Sequence, residues 1–470
     1  MAQDLQNTVN QNATIANGGG ATTFKLMAGK TIHATNVNLT DAAADNTLEL
    51  YENASITGNV VTANANSGII SVKGKAKIDG AIGAGANAIN KIIFNEAAEL
   101  TVSKNSINTN AGIEFKENGT LNLTEAAAFT TDKAIIVAQN KDGLGTIRVN
   151  NATGGQLVKF DQIGDVAAAD KSLGLLEVTG GANIELNKNA SIKKLNIGSQ
   201  NVEIKLTGLN GEYLISELAH NKGSGALVLD QDVTLKTGTN FGAALDFIQL
   251  KDKTLTIQDG VDLTATNGIR SSQDGKGSLL FTGDSKVSGV VGSNNKLENV
   301  TINSGNKNKI VNFLDKFNIA GDLKIAQGDT AILRGEVVAG DIQGAGANQG
   351  TVKFFNKEVL SGATAVTPKI GNGNALDTVE LGGKDITFNS DGTFKTNTLS
   401  FTGKNGLTEL TATFTKLAAD SLQNTTITTD SEIRGHHIVL NDDNHALDAA
   451  IGSKTNHFGN LHYLMVKLLI

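Results

Sequence analysis

The amino-acid sequence predicts an all-β protein, a parallel β-helix (solenoid) of roughly 20 coils that takes up most of the chain. Three observations favour this fold class. Short alternating apolar runs recur from one end of the chain to the other, glycine and asparagine separate them, and a degenerate repeat underlies them. A repeat of roughly 20 to 25 residues cannot bury its apolar face alone, so successive repeats must stack to form a core.

The composition favours a thin, layered core. Hydrophobic residues make up 39% of the chain, too many for a disordered protein, whereas aromatic residues make up only 4%. We therefore expect valine, isoleucine, leucine and alanine to fill each coil. Proline removes a donor from a β-ladder, and Pro368 is the only proline among the 470 residues.

The strand pattern is clearest in Gly275–Ile302, GKGSLLFTGDSKVSGVVGSNNKLENVTI. Its three apolar runs, Leu279–Phe281, Val287–Val291 and Leu297–Ile302, alternate so that one set of side chains points inward. Similar runs predict strands in five further segments: Gly68–Gly83, Gly112–Glu125, Gly145–Asn151, Ala226–Gly238 and Lys384–Gly403.

Two short elements recur along the chain. The first is Ile or Val followed by Gly, a polar spacer and an alternating run, and several copies lie about 80 residues apart. Its copies begin at Ile82, Ile163, Ile197, Val291, Ile370 and Ile451. The second is a glycine-led run, as in Gly275–Phe281 and Gly346–Phe354. Such degenerate units indicate selection for stacking rather than for chemistry in each unit.

We divide the chain into residues 1–66, a β-rich segment that forms the first coils, and residues 67–470, a repetitive solenoid truncated at its C-terminus. Helical periodicity is scarce, and its best candidate, Gly406–Gln423, also fits a strand followed by a short helical turn. Asp315–Gly340 and Thr408–Asp430 are predicted to be loops that interrupt the coil register and carry binding specificity.

Charge and cysteine content exclude several function classes. Lys and Arg total 40 against 47 Asp and Glu, which gives a formal net charge of −7. The sequence contains no block of basic residues of the kind that binds nucleic acid. The absence of cysteine excludes disulfides and thiolate metal sites. The N-terminus lacks the pattern of a signal peptide, and no apolar run is long enough for a transmembrane segment. We interpret both ends as cuts and the chain as a fragment.

The densest polar cluster is GHHIVLNDDNH, which contains imidazoles and carboxylates that can ligate zinc. Its candidate ligands are His436, His437, Asp442, Asp443 and His445. Adjacent histidines on a strand point to opposite faces, so a solvated loop is the favoured interpretation. The other histidines show no metal-site spacing: His33, His220, His457 and His462. We expect no metal and no cofactor.

Glycine-rich segments are interpreted as corners. Gly344–Gly350 and Gly83–Asn90 lack the G-x-G-x-x-G spacing of a dinucleotide loop. Gln258–Leu263 and Asn389–Phe394 contain Asp and Gly outside any tandem calcium-binding frame, so they are predicted to be isolated turns.

A carbohydrate-active enzyme needs clustered carboxylates, basic residues and aromatic platforms on one face. The sequence has no Trp, and its three tyrosines are Tyr51, Tyr213 and Tyr463. The arginines considered for lyase chemistry are isolated from one another: Arg148, Arg270, Arg334 and Arg434. No serine-hydrolase pattern is present, and no catalytic residue is predicted.

The repeats resemble the passenger region of the rickettsial surface cell antigens, the autotransporters that include outer membrane proteins A and B. Three segments carry the resemblance: Gly275–Ile302, GAGANQGTVKFFN (Gly344–Asn356) and IGNGNALDTVEL (Ile370–Leu381). The resemblance implies a right-handed parallel β-helix, exported and displayed on a bacterial outer membrane, that acts in adhesion to or invasion of host cells. A host cell-surface protein is the implied partner. The signal sequence and C-terminal β-barrel translocator of the family are missing from this sequence.

The leading interpretation is therefore a non-enzymatic surface passenger. Two alternatives stay open. A carbohydrate-active β-helix enzyme predicts a carboxylate cluster in a groove on one face, and a surface-layer structural protein predicts no receptor.

Overall fold

The structure of the protein is a computed structural model. It describes residues 3–5, 13–15, 21–39, 46–64, 66–83, 88–103, 106–124, 129–131, 135–137, 142–150, 157–167, 171–179, 183–198, 202–220, 225–242, 245–305, 307–355, 364–382, 386–388, 392–402, 410–415, 417–418, 421–429, 436–440, 449–451 and 460–463. These residues contain strands and turns and no helix. The chain divides into unit 1, Met1–Leu245, and unit 2, Asp246–Ile470.

The strands of unit 1 are short. They are β1 (Gln3–Leu5), β2 (Ala13–Ile15), β3 (Thr23–Leu26), β4 (Thr31–Leu39), β5 (Thr47–Leu50), β6 (Ser55–Val61), β7 (Ser67–Val72), β8 (Lys75–Asp79), β9 (Ile89–Phe94), β10 (Glu99–Val102), β11 (Ser106–Ile107), β12 (Ile113–Phe115), β13 (Thr120–Leu123), β14 (Phe129–Thr131), β15 (Ile135–Val137), β16 (Leu144–Val149), β17 (Leu157–Phe160), β18 (Leu173–Val178), β19 (Asn183–Leu186), β20 (Ala190–Ile197), β21 (Glu203–Leu206), β22 (Gly211–His220), β23 (Gly225–Leu229) and β24 (Val233–Leu235).

The remaining strands begin with one that starts on the last residue of unit 1. They are β25 (Leu245–Gln249), β26 (Thr254–Ile257), β27 (Leu263–Thr264), β28 (Ile269–Arg270), β29 (Ser278–Phe281), β30 (Ser285–Ser288), β31 (Asn299–Ile302), β32 (Ile310–Phe313), β33 (Phe317–Asn318), β34 (Asp322–Ile325), β35 (Thr330–Leu333), β36 (Val337–Val338), β37 (Asp341–Gly344), β38 (Thr351–Phe355), β39 (Thr364–Val366), β40 (Lys369–Ile370), β41 (Leu376–Gly382), β42 (Ile386–Phe388), β43 (Thr396–Thr402), β44 (Thr411–Phe414), β45 (Thr425–Thr429), β46 (His437–Leu440), β47 (Ala449–Ile451) and β48 (Asn460–Tyr463).

Each strand pairs in parallel with the equivalent strand of a neighbouring coil, so the predicted all-β parallel solenoid is confirmed. The longest ladder of unit 1 joins β2, β4, β6, β8, β10, β13, β16, β18, β20, β22 and β24. The longest ladder of unit 2 joins β27, β30, β32, β35, β38, β41, β43, β45 and β47. These ladders of eleven and nine strands compare with the roughly 20 coils predicted for the chain.

Alternating side chains form the core of each unit. In β13, Leu121 and Leu123 are buried while Thr120 and Asn122 are half-exposed. The same alternation recurs in most four-residue strands and is what the period of two in the sequence predicts. Removing these apolar side chains from water is the main force that holds the coils together.

The Ile/Val-Gly element forms a corner. Val291 is buried and makes isolated parallel bridges to Ile269 and Phe317 on the neighbouring coils. Gly292 follows with φ +71°, and a Cβ there would lie 1.9 Å from the carbonyl oxygen of Asn318. The same pairing of a bridge residue with a left-handed glycine recurs at Ile82-Gly83, Ile163-Gly164 and Ile370-Gly371. The repeat therefore marks where each chain turn must approach the next coil.

Phenylalanine has a larger place in the core than the composition suggested. Among the described residues, eleven of the twelve largest fully buried side chains are phenylalanines, and the twelfth is Tyr213. Phe388 stacks on Phe414 with ring centroids 4.9 Å apart and meets Phe354 and Phe394 edge-on. Because rings on successive coils stack on one another, a small number of aromatics gives well-packed layers.

Two predictions about irregular segments need correction. Asp315–Gly340 is no interrupting loop: it contains β33, β34, β35 and β36, each paired in parallel with neighbouring coils. The described part of Thr408–Asp430 likewise contains β44 and β45. These segments contain alternating runs, such as DLKI in β34 and TAIL in β35, which pair in the ladders as the other strands do. Within Gly406–Gln423 the strand interpretation is confirmed by β44, and the described residues there form no helix.

The segment Gly275–Ile302 lies in the stack as predicted. β29 and β30 belong to one coil, and β31 begins the next, with Leu279 paired to Val300. The predicted boundary between residues 66 and 67 stays a prediction.

Candidate interaction surface

The histidine cluster is not a solvated loop throughout, which corrects the favoured interpretation. His436 is fully buried, its Nδ1 accepts the Leu410 N–H at 3.2 Å, and its ring lies 5.5 Å from that of Phe401. His437 begins β46 and is half-exposed on the opposite face, as alternation requires. The other three candidates, Asp442, Asp443 and His445, lie outside the described residues.

The remaining histidines form no cluster in the part of the chain that the structure describes. His33 is exposed on β4, and His220 and His462 lie on β22 and β48. His457 lies outside the described residues. No group of three His, Cys, Asp or Glu side chains capable of holding a metal ion occurs among the described residues.

The glycine-rich segments are corners where they are described. Asn348 and Gly350 have φ of +57° and +74°, so Gly344–Gly350 turns the chain between β37 and β38. In Gln258–Leu263, Gly260 has φ +75°, and the Asp259 carboxylate accepts the Asp284 N–H at 2.8 Å. Residues 84–87 and 389–391 lie outside the described residues.

The tyrosines and arginines considered for sugar chemistry are dispersed. Tyr213 is fully buried and Tyr51 is half-exposed, whereas the side chain of Tyr463 and all of Arg434 are not described. The other arginines meet separate partners. Arg148 pairs with Glu177, Arg270 lies over the ring of Phe247, and Arg334 donates to Asn312.

Charged side chains on the outer faces pair across coils. Pairs between neighbouring coils with N–O distances of 2.6 to 3.2 Å include Lys91–Glu114, Arg148–Glu177, Lys159–Glu185, Lys194–Glu217 and Lys353–Glu380. Half-exposed pairs of this kind add little stability. They do, however, give much of the outer face a balanced charge.

The carboxylate pair most relevant to an enzyme is Asp322 and Asp341, which stand opposite each other on β34 and β37. Burial raises the pKa of the Asp341 carboxyl, backbone N–H groups of Gly373 and Asn372 oppose the rise, and the charge of Asp322 adds to it. Asp322 accepts a hydrogen bond from Gln343 Nε2 at 2.7 Å. Both carboxylates therefore serve contacts between coils, and Asp341 is only 6% exposed.

A polar groove in unit 1 crosses four coils. Its lining includes Lys25, Glu49, Tyr51, Lys73 and Glu96. Tyr51 Oη donates to Glu49 at 2.8 Å, and Lys73 pairs with Glu96 at 3.3 Å. The charged groups of this groove thus largely satisfy one another.

Unit 2 carries a row of threonines on its longest ladder, which we call the threonine row. Its members stand opposite one another on β35, β38, β41, β43 and β45: Thr330, Thr351, Thr378, Thr398 and Thr426. Paired strands lie about 4.8 Å apart, so one hydroxyl is presented per coil at that spacing. The four threonines before Thr426 are half-exposed, and Thr426 is exposed.

Beside the threonine row lies a second groove, which we call the amide groove. It is lined by Asn348, Ala375, Lys395, Thr396, Asn397, Gln423 and Asn424. Thr396 and Asn397 are the first two residues of β43, and the other lining residues come from the corners that precede β38, β41, β43 and β45, so the groove also runs across coils. The groove is open to solvent and has a volume of about 370 Å³.

Sequence reasoning missed both features. The threonines are visible in the sequence, but they lie 20 to 28 residues apart, and only the register of the ladder shows that they are neighbours. A search for Thr at the first outward position of each alternating run would have found most of them.

Comparison with known proteins identifies relatives for most of the chain. Outer membrane protein B of Rickettsia rickettsii is 28% identical over 387 residues, which is 75% of this chain and 22% of the relative. Outer membrane protein A of the same organism is 27% identical over 411 residues, or 81% of this chain and 17% of the relative. The chain is similar to these rickettsial outer membrane proteins over most of its length.

Outer membrane protein B of Rickettsia japonica matches at 28% identity over 319 residues, 62% of this chain and 18% of the relative. The chain therefore spans about a fifth of the length of these outer membrane proteins. No family model matches the sequence, and no solved structure matches it. Among the described residues, no helix is long and apolar enough to cross a membrane.

Proposed function

We propose that the chain is a non-enzymatic passenger of a bacterial surface autotransporter that acts in adhesion to or invasion of host cells. The homology to rickettsial outer membrane proteins A and B carries this proposal. By the same reasoning the chain is exported and lies at the outer membrane or cell surface, and its partner is a host cell-surface protein.

The parallel solenoid supports this role physically. Core packing and backbone ladders hold the coils together, so outward side chains such as those of Thr351 and Lys353 can vary without loss of the fold. Because Asp315–Gly340 belongs to the ladder, we now place specificity on the outward strand faces and their corners rather than on an inserted loop. A partner would then make many weak contacts along several coils.

The non-enzymatic part of the proposal rests on how the carboxylates are used. Asp341 is buried against two backbone amides and Asp322 is bound by Gln343, so this pair offers no open acid and base. Asp259 and Asp284 both bind Lys309, at 2.9 and 3.0 Å. These contacts favour a structural role for each carboxylate over the glycosidase alternative.

Adhesion is tested with beads coated with the purified chain and incubated with cultured host cells. We expect the coated beads to bind, soluble chain to compete, and protease treatment of the cells to abolish binding. Beads coated with the same chain after irreversible unfolding are the matched control. Equal binding of native and unfolded chain would contradict the proposal.

The enzyme alternative is tested separately by incubating the chain with polysaccharides and measuring new reducing ends. We expect no turnover. Turnover that disappears in Asp341→Asn or Asp322→Asn would show instead that the carboxylate pair is catalytic.

A further inference from the structure

The amide groove differs from the charged faces of the stack in its chemistry. Four exposed amide side chains line it, Asn348, Asn397, Gln423 and Asn424, together with one cation, Lys395. An amide offers one acceptor and two donors, so each can make several hydrogen bonds to an uncharged polar ligand.

Backbone geometry explains only part of this amide lining. Asn348 and Asn424 have φ of +57° and +56°, a conformation in which asparagine is favoured for its own backbone. Asn397 and Gln423 are not among the residues with positive φ, yet they are exposed and line the same groove. Their place in the groove has no such conformational reason.

The threonine row extends the polar surface along the direction of stacking. Thr351, Thr398 and Thr426 each lie close in sequence to groove amides of the same coil, whereas the coil of Thr378 contributes Ala375 to the groove. The hydroxyls therefore repeat at about 4.8 Å along the stack, and amides accompany them in three of these four coils. A ligand that matches this surface is linear, carries hydroxyl groups at a regular repeat and lies across the strands.

Charge defines the ligand further. Lys395 lines the groove, and the Asp377 carboxylate beside it accepts from Asn397 Nδ2 at 3.4 Å and from the Thr378 hydroxyl at 3.3 Å. One cation and one anion nearly cancel, and the whole chain carries a net charge of −7. A strongly anionic polymer therefore finds little attraction here.

We propose that the amide groove and the threonine row bind a linear uncharged polysaccharide laid across at least four coils. Hydrogen bonds alone supply the recognition, because no aromatic ring lines the groove. Each coil contributes a weak contact, and the affinity comes from several coils that bind the same polysaccharide molecule. The inference goes beyond the proposed adhesive function and does not depend on a host protein.

The test is calorimetric titration of the full chain with linear uncharged oligosaccharides of two to six units, built from β-linked glucose, N-acetylglucosamine or mannose. We expect affinity to rise with length and to level off once the oligosaccharide spans the groove. Heparin oligosaccharides of equal length serve as the anionic comparison and should bind more weakly. Absence of binding to all three uncharged series, or tighter binding of heparin, would overturn the proposal.

Variants locate the binding. Asn397→Ala and Gln423→Ala should each weaken binding of the longest oligosaccharide by about three- to tenfold, the effect of one lost hydrogen bond. Thr398→Val, which keeps the shape and removes the hydroxyl, should act in the same direction. The matched controls are Asn294→Ala and Gln273→Ala, exposed amides outside the groove, which should bind like the parent.

Circular dichroism and the urea midpoint of each variant show whether the stack is intact. If folded Asn397→Ala and Gln423→Ala bind as tightly as Asn294→Ala and Gln273→Ala, the ligand lies elsewhere and the proposal fails.

Discussion

Tyr213 shows how a single buried polar atom is accommodated in a coil. Its hydroxyl donates to the Leu186 carbonyl at 3.1 Å and accepts the Gly208 N–H at 3.2 Å. Burial raises the pKa of this phenol to about 12, although the Gly208 N–H opposes the rise. In Tyr213→Phe the Leu186 carbonyl keeps the Thr207 N–H, but the Gly208 N–H loses the phenol oxygen. We therefore expect a loss of about 1 to 3 kcal/mol in the free energy of unfolding, measured with urea.

Tyr51→Phe is the matched control for this prediction. Tyr51 is half-exposed and its hydroxyl donates to Glu49, so water can replace the lost contact. Its effect should stay below about 0.5 kcal/mol, the usual range for surface changes. Equal losses of unfolding free energy in the two variants would mean that the buried hydroxyl of Tyr213 stabilises the fold no more than the half-exposed hydroxyl of Tyr51.

Two aspartates should respond to pH in opposite directions. Burial and the charge of Asp322 raise the pKa of the Asp341 carboxyl, and backbone hydrogen bonds lower it. The net result in the folded chain is a pKa above 3.8. A raised carboxyl pKa contributes stability that is present below pH 3.8 and lost as pH rises through the folded value. The stability of the parent relative to Asp341→Asn should therefore fall with rising pH across that window, measured by urea unfolding at several pH values.

Asp142 supplies the control of opposite sign. Burial would raise the pKa of its carboxyl, but hydrogen bonds from Lys193 and from the Ser172 N–H outweigh burial, so the pKa lies below 3.8. Its contribution is present above pH 3.8 and lost as pH falls through the folded value. The parent should lose stability relative to Asp142→Asn on acidification. Parallel pH profiles for the two variants would contradict both assignments.

At the scale of the structural element, the Ile/Val-Gly corner makes a sharp prediction. Gly292 has φ +71°, and an added Cβ would lie 1.9 Å from the Asn318 carbonyl oxygen, which is fixed by the next coil. Gly260 has nearly the same φ, +75°, but nothing lies within 4 Å of its Cβ position. Gly260→Ala should lower the free energy of unfolding by about 1 to 2 kcal/mol, because only the backbone conformation is unfavourable. Gly292→Ala should lower it by clearly more, because the clash is added, and thermal or urea unfolding measures both losses.

Element patterns also show how far the sequence predicts this fold. A period of two fixes which side chains of β13 or β29 point inward, so strands and core follow from sequence alone. Coil length varies, however: Arg148 pairs with Glu177 across 29 residues, and Glu177 meets Asn196 across 19. Neighbours on the surface therefore depend on corner lengths that no local pattern reveals, which is why the threonine row was missed.

The burial of His436 follows from the local pattern. Alternation predicts that His436 and His437 face opposite ways, and His436 is in phase with the buried Ile438 and Leu440. A polar sequence suggested a loop, whereas the apolar residues Ile438 and Leu440 set the inward face and carry His436 with them.

At the scale of the whole molecule, the backbone ladders within each unit join a coil only to the coils before and after it, so stability is approximately a sum of coil and interface terms. The register around β29 and β30 shows how one coil can be removed. Ser278 stands opposite Thr254 on one side and Asn299 on the other. Val287 stands between Leu263 and Phe313 in the same way.

Deletion of residues 278–298 should therefore leave a folded stack in unit 2. Gly277 would join Asn299, so that β31 takes the place of β29 and β32 takes the place of β30 in their ladders. We expect an unchanged β-type circular dichroism spectrum and a lower urea midpoint, because one interface and the contact between Phe281 and Phe313 are lost. Deletion of residues 278–287 removes about half a coil and forces inward side chains out of register, so it should abolish cooperative unfolding. If the two deletions behave alike, the coil is not the unit of stability.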